Sequence, residues 1–153
     1  MTSCWISWRG WPRRSARPPS WLASGAKAAY HAAAVLAAGG FDSLLDAIAE
    51  LGRVAGLDQA GSLAIYGGLA EQTLANARAI GIDAALTGPA TRGDRGTFTA
   101  HLAAIRRAAP GVEALYLALA EREISIAERR GALTPEAARG LRSALAPSLA
   151  TPK

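Results

Sequence analysis

The sequence has little of what disulfide and metal chemistry require. Cys4 is the only cysteine among 153 residues, so the chain cannot form an internal disulfide or a cysteine-based metal site. The only histidines are His31 and His101, and neither has cysteines or carboxylates near it at a spacing typical of metal ligands. The sequence therefore predicts no metal site, and it favours a reducing, cytoplasmic compartment.

Aromatic residues are also few. They make up 6% of the chain, whereas 50% of the residues are hydrophobic and many of these are alanine. Alanine has the highest helix propensity, and strands are enriched in β-branched and aromatic residues, so this balance favours packed helices. Since the length suits one domain of ordinary size, we expect a single all-α domain.

Acidic residues are missing from the first 41 positions, and this asymmetry accounts for the net charge of +5. Five of the 17 basic residues lie at or before Lys27, and the first acidic residue is Asp42. The other twelve basic residues are balanced by all twelve acidic ones, so the body of the chain is formally neutral. We therefore expect no nucleic-acid partner. Nonspecific binding by arginine and tryptophan in the N-terminal tail remains a weaker alternative.

Residues 1–24 differ in composition from the rest, since they hold all four tryptophans, three prolines and four arginines. They show neither helical periodicity nor the apolar run of a secretory signal. We expect this tail to be disordered or to be non-native sequence read from a shifted frame. The helical domain is predicted over residues 25–146, and residues 147–153 are predicted to fray.

Apolar residues recurring at three- and four-residue steps predict a bundle of about five helices with a long first helix. That helix is expected over residues 24–55, with an interruption at Gly39-Gly40. Asp42, Asp46 and Glu50 would form a solvated acidic stripe along it, so we expect no membrane span. The second helix, capped by Asp58, is predicted to turn one set of residues inward: Leu63, Tyr66, Leu69, Ala70, Leu74 and Ala77.

The segment from Leu86 to Asp94 is the first candidate site. Gly88 and Gly93 permit backbone angles closed to other residues, and Pro89 prevents one helix from running through. Arg92 offers a planar fork of donors for a carboxylate or phosphate. The alternative is an ordinary helix-to-helix connection, in which Arg92 pairs with Asp94 or Asp94 caps the next helix.

The second candidate site is the start of the first helix. Lys27 and His31 are one helical turn apart, and Tyr30 lies beside them. Such a pair can act as a proton donor to a carbonyl or alkoxide oxygen. Alternatively, Lys27 is solvated while Tyr30 and His31 form hydrogen bonds at a helix seam. His101, one turn from Phe98 and Ile105, is interpreted as a packed or rim residue.

Neither G-x-G-x-x-G after a strand nor G-x-x-x-x-G-K-[ST] occurs, so the sequence offers no usual cradle for a dinucleotide or nucleotide phosphate. With these motifs considered, three stretches together resemble one family: Tyr30-His31-Ala32-Ala33-Ala34-Val35, Glu71-Gln72-Thr73-Leu74-Ala75-Asn76-Ala77 and Leu86-Thr87-Gly88-Pro89-Ala90-Thr91-Arg92-Gly93-Asp94. That family is the C-terminal domain of unknown function 2520, which follows a Rossmann-like NAD(P)-binding domain.

The resemblance implies a relation to the superfamily of pyrroline-carboxylate reductase, ketopantoate reductase and hydroxyacid dehydrogenases. It also implies a fold like the C-terminal dimerisation domain of 6-phosphogluconate-dehydrogenase-like proteins. In such proteins this domain dimerises and closes the substrate cleft. The chain would then be a fragment without the Rossmann domain, inactive alone and holding no cofactor, whereas full-length relatives would use NAD(P).

Transferred residue by residue, the resemblance implies Lys27 and His31 as catalytic candidates. In full-length relatives the substrate is expected to be small and anionic. The residues that the resemblance implies for binding it are Tyr30, Thr87, Gly88, Pro89, Arg92, Gly93 and Asp94. A homodimer is the expected assembly. The alternative function is a standalone helical protein–protein interaction module that uses the small-residue seam from Ala33 to Gly40.

Overall fold

The computed structural model describes residues 25–146, which form helices and contain no strand. The all-α prediction is confirmed, and the predicted tails at residues 1–24 and 147–153 lie outside the described residues. The α-helices are α1 (Lys27–Val35), α2 (Phe41–Val54), α3 (Gln59–Ile80), α4 (Ile82–Ala85), α5 (Pro89–Arg92), α6 (Arg95–Ala108), α7 (Glu113–Arg129) and α8 (Pro135–Leu145). The described residues divide into two compact units, the first ending at Asp42 and the second beginning at Ser43.

In the first unit, α1 continues into a π-helical turn over Leu36–Gly40. The turn ends on Gly39 and Gly40, where the sequence predicted an interruption, because two glycines weaken the α-helix and π-turns occur as local insertions in helices. The side chains of α1 are exposed, and Leu36 in the π-turn is 71% exposed. The first unit therefore presents apolar side chains at its surface.

The helix from Lys27 to Val54 is 28 residues long and apolar enough to cross a membrane by length and composition. Its most apolar window has a mean hydropathy of 1.5, and 11% of that window is buried. Core helices of soluble proteins and signal sequences meet the same criteria, so length and hydropathy do not decide its surroundings.

The core of the second unit lies where α5, α6, α7 and α8 meet. Its main cluster consists of Ala90, Phe98, Leu102, Ala120, Ile124, Ala127, Leu133, Ala138, Leu141 and Leu145. Arg142 of α8 forms ion pairs with Glu121 and Glu128 of α7 at 2.8 and 2.7 Å. Apolar packing therefore fixes these helices together, with ion pairs along the outside of their seam.

The helix ends in the second unit follow from local sequence. Asp58, Asp94 and Thr134 act as N-caps, each accepting a hydrogen bond from a backbone N–H three residues on. Gly56 and Gly81 terminate the preceding helices with φ of 89° and 85°. Because Asp58 was the predicted cap of the second helix, that boundary is confirmed.

The prediction that the leucines of α3 face inward is wrong. Leu63, Leu69 and Leu74 are 43%, 61% and 51% exposed, whereas Tyr66 and Ala77 are partly buried. Because successive residues of an α-helix are rotated by about 100°, the apolar side chains of α3 are spread around most of its circumference. The sequence therefore does not indicate which face of α3 is buried. In this chain alone, much of α3 is left uncovered.

The close approach of α2 to α3 depends on a glycine. Ser62 is 1% exposed, and a Cβ added to Gly52 would lie 2.0 Å from its Oγ. A side chain at position 52 therefore requires Ser62 to change rotamer or the two helices to move apart.

Gly52→Ala is expected to lower the free energy of unfolding by about 1–3 kcal/mol, because the added methyl overpacks this crossing. Urea denaturation followed by circular dichroism measures the change. Gly96→Ala, in the exposed first turn of α6 where a Cβ meets only ordinary contacts, is the control and should be neutral or slightly stabilising. Equal effects from both substitutions would contradict the packing explanation.

Candidate functional site

The candidate loop is built as two single-turn helices joined by an extended link. After α4, Leu86 is extended, and Gly88 has φ 111° and ψ −170°, a conformation suited to glycine. Pro89 then occupies the first position of α5, where its fixed φ favours helix and its missing N–H costs nothing. The prediction that a helix cannot run through Gly88-Pro89 is confirmed.

The N-terminal side of the loop is held by two arginines at the end of α7. Arg130 Nη1 donates to the carbonyl oxygens of Leu86 at 2.7 Å and of Asp83 at 3.0 Å. Arg129 donates to both carboxylate oxygens of Asp83. The Arg129 hydrogen bond, with the positive charges of both arginines, lowers the pKa of Asp83. These contacts fix the backbone that leads into the loop.

The C-terminal side is held by Asp94. Its Oδ1 accepts a hydrogen bond from the N–H of Thr97 at 3.0 Å, and its Oδ2 accepts one from Thr97 Oγ1 at 2.6 Å. The Thr97 hydroxyl, then the Thr97 N–H and the charge of Arg92, lower the pKa of Asp94. Capping of α6, one of the alternatives that the sequence left open for Asp94, is therefore present in the structure.

Between these ends, the loop backbone is packed on the core. Ala90 is fully buried, and Gly93 is left-handed with φ 66°. A Cβ at Gly93 would be in ordinary contact with Leu133 and Ala137, so backbone angle rather than space favours glycine there. The Thr91 hydroxyl donates to the carbonyl oxygen of Gly88 at 2.9 Å. The loop is thus a fixed platform.

Two side chains of the platform reach solvent, those of Thr87 and Arg92, while Gly88 and Pro89 are half-buried. Arg92 stands at the last position of α5, and within residues 25–146 its guanidinium forms no ion pair. A free guanidinium on a rigid backbone can bind a carboxylate or phosphate through two parallel hydrogen bonds.

The other predicted residues, Lys27, Tyr30 and His31, lie on α1 in the first unit. All three side chains are exposed, with Tyr30 at 51%. None of them forms a side-chain hydrogen bond with another residue of the part that the structure describes. The structure therefore places Lys27 and His31 one turn apart on one helix, as the spacing predicted, and their catalytic role stays a prediction.

Sequence reasoning missed a cleft of about 200 Å³ in the second unit. It is lined by Pro89, Phe98, His101, Tyr116, Leu119, Ala120 and Glu123. His101 Nδ1 and the Tyr116 hydroxyl are joined by a hydrogen bond of 2.8 Å. Residues 15 positions apart show no local sequence pattern that would predict this contact. The sequence predicts only a packed or rim position for His101, because apolar residues lie one helical turn away.

The cleft holds a half-buried acidic side chain, that of Glu123. Burial and the negative charge of Glu123 raise the pKa of Tyr116 to about 12, so the phenol stays protonated at neutral pH. Burial also raises the pKa of the Glu123 carboxyl. Within residues 25–146 no group of three or more histidine, cysteine, aspartate or glutamate residues is arranged to hold a metal ion.

Asp94→Asn is expected to keep the cap but lose the charge-dependent part of its stabilisation. Since the folded pKa of Asp94 is lowered, this part is present above the unfolded pKa and is lost as pH falls through the folded pKa. Thermal unfolding between pH 7 and pH 2 should show the Tm gap between wild type and Asp94→Asn shrinking toward low pH. Asp46→Asn, at an exposed position of α2, is the control. A gap that is independent of pH would contradict the assignment.

Comparison with known proteins gives one match. The sequence model of a family described as a domain of unknown function (DUF2520) matches residues 14–123, which include the loop and every lining residue of the cleft. No curated protein and no solved structure matches the chain. Because the match spans well over half of the 153 residues, the chain belongs to the DUF2520 family.

Proposed function

We propose that this domain is the helical substrate-binding and dimerisation domain of an NAD(P)-dependent oxidoreductase-like protein of the cytoplasm. The observation that carries the proposal is the fixed loop from Leu86 to Asp94, which leaves Arg92 exposed and unpaired within the described residues. The resemblance of the same residues to Rossmann-associated domains also supports it. NAD(P) would bind to a separate nucleotide-binding domain of full-length relatives, because this sequence has no dinucleotide motif.

In this proposal the loop binds a small anionic substrate. Arg92 orients its carboxylate or phosphate, and Thr87 offers a hydroxyl beside it. Gly88, Pro89 and Gly93 shape the backbone, and Asp94 positions Arg92 through the cap of α6. On α1, we propose Lys27 or His31 as a proton donor and Tyr30 as a substrate-binding residue.

The dimerisation role is supported by α3. Ile65 and Leu69 lie on one side of this helix and Leu63 and Leu74 on the other, yet all four are more than 40% exposed. A helix that is apolar around its circumference is normally buried, and large exposed apolar patches mark interaction surfaces. We infer that a second copy of the chain covers α3.

A second candidate is a standalone helical protein–protein interaction module. The exposed apolar residues of the first unit favour it, since Val35 and Leu36 are 52% and 71% exposed next to the small residues that run to Gly40. Partner binding through α1 that does not depend on Arg92 would distinguish this function from the first. Neither function requires nucleic acid or a membrane.

In a full-length relative, Arg92→Ala is expected to raise the KM for an anionic substrate by about 10- to 100-fold, because a charge-assisted hydrogen bond contributes about 1.5–3 kcal/mol. Steady-state kinetics of hydride transfer measures the change. Arg139→Ala is the control, since this exposed arginine of α8 pairs only with Glu136 among the described residues. Unchanged substrate affinity and turnover in the Arg92 variant would end the proposal for the loop.

Leu69→Glu is expected to convert a dimer of this chain into a monomer, because it places a charge in the apolar contact. Sedimentation velocity over a range of protein concentrations measures the change. Ser143→Glu adds the same charge to an exposed position of α8 and should leave the assembly intact. A wild-type chain that sediments as a monomer at all concentrations would refute the dimer.

A further inference from the structure

The cleft lined by α5, α6 and α7 has the shape of a small-ligand site. Along α7 its lining residues are Tyr116, Leu119, Ala120 and Glu123, spaced so that they share one helix face. Phe98 and His101, one turn apart on α6, form the facing wall. The volume of about 200 Å³ is below that of drug-sized pockets, so the cleft suits a ligand of few heavy atoms.

The carboxylate of Glu123 distinguishes this cleft from the rest of α7. Glu113 pairs with Arg106 at 2.7 Å, and Glu121 and Glu128 both pair with Arg142. Glu123 has no such partner within residues 25–146, and it is the only charged residue that lines the cleft. An unpaired, half-buried carboxylate is costly, so a cation bound beside it would recover free energy.

Three rings line the same cleft as this carboxylate, those of Phe98, His101 and Tyr116. The Phe98 and Tyr116 ring centroids are 6.3 Å apart at 62°, and those of His101 and Tyr116 are 5.9 Å apart at 80°. The hydrogen bond between His101 and Tyr116 fixes the two rings against each other. Aromatic rings together with a carboxylate form the usual environment for an organic ammonium ion.

We propose that this cleft binds a small primary or secondary amine as its ammonium ion. The ammonium group lies at the Glu123 carboxylate, and the apolar body of the ligand packs between Phe98, Leu119 and Pro89. This site differs in charge from the loop, where the exposed group is the cationic Arg92. The inference does not rest on the proposed function, since it uses only the walls of the cleft.

Benzylamine, protonated at pH 7.5, tests the proposal, and benzyl alcohol is its neutral control of equal size. Both are titrated into the whole chain, and binding is followed by calorimetry and by the NMR signals of His101. We expect saturable binding of the ammonium ion and at least about tenfold weaker binding of the alcohol. Equal affinity for the two compounds, or no binding of either, would overturn the proposal.

Glu123→Gln is expected to weaken benzylammonium binding by about tenfold or more, whereas Glu121→Gln on the same helix should leave it unchanged. Leu119→Trp, which fills the cleft from its rim, should also abolish binding, and it covers the case in which the Glu123 variant does not fold. Full affinity in either folded variant would contradict the site. Arg92→Ala should not alter amine binding, so failure here is distinguishable from failure of the loop.

Discussion

The structure depends on the close packing of the second half of α7. Ala120, Ile124 and Ala127 are at most 1% exposed, and the two alanines let neighbouring helices approach closely. With α7 fixed in this way, Arg129 and Arg130 at its end reach the loop, and Tyr116 and Glu123 line the cleft. The loop and the cleft therefore both depend on one helix whose inner face is buried.

The residues of the loop fall into two groups, those that hold the fold and those that are exposed to solvent. Asp94 and the backbone around Gly93 are engaged in capping and packing, while Arg92 and Thr87 reach solvent. The acidic residues of α7 divide in the same way, since Glu113, Glu121 and Glu128 pair with arginines, whereas Glu123 has no ion-pair partner among the described residues. Binding residues are expected to be unpaired and to lie on a rigid backbone, because less conformational entropy is then lost when a ligand binds.

Much of the helical organisation could be predicted from the sequence because it is local. The caps Asp58 and Thr134 and the break at Gly88-Pro89 act within a few residues of the boundaries they set. The orientation of α3 could not be predicted, since its apolar residues mark no single face. The cleft could not be predicted either, because His101 and Tyr116 meet only when α6 packs against α7.

We propose that another copy of this chain covers α3. Hydrogen–deuterium exchange at several protein concentrations tests this claim most directly, because it reports protection helix by helix. We predict that amides of α3 between residues 62 and 80 become more protected as concentration rises, whereas those of α7 between residues 120 and 127 stay equally protected. Protection of α3 that is the same at every concentration would contradict the account.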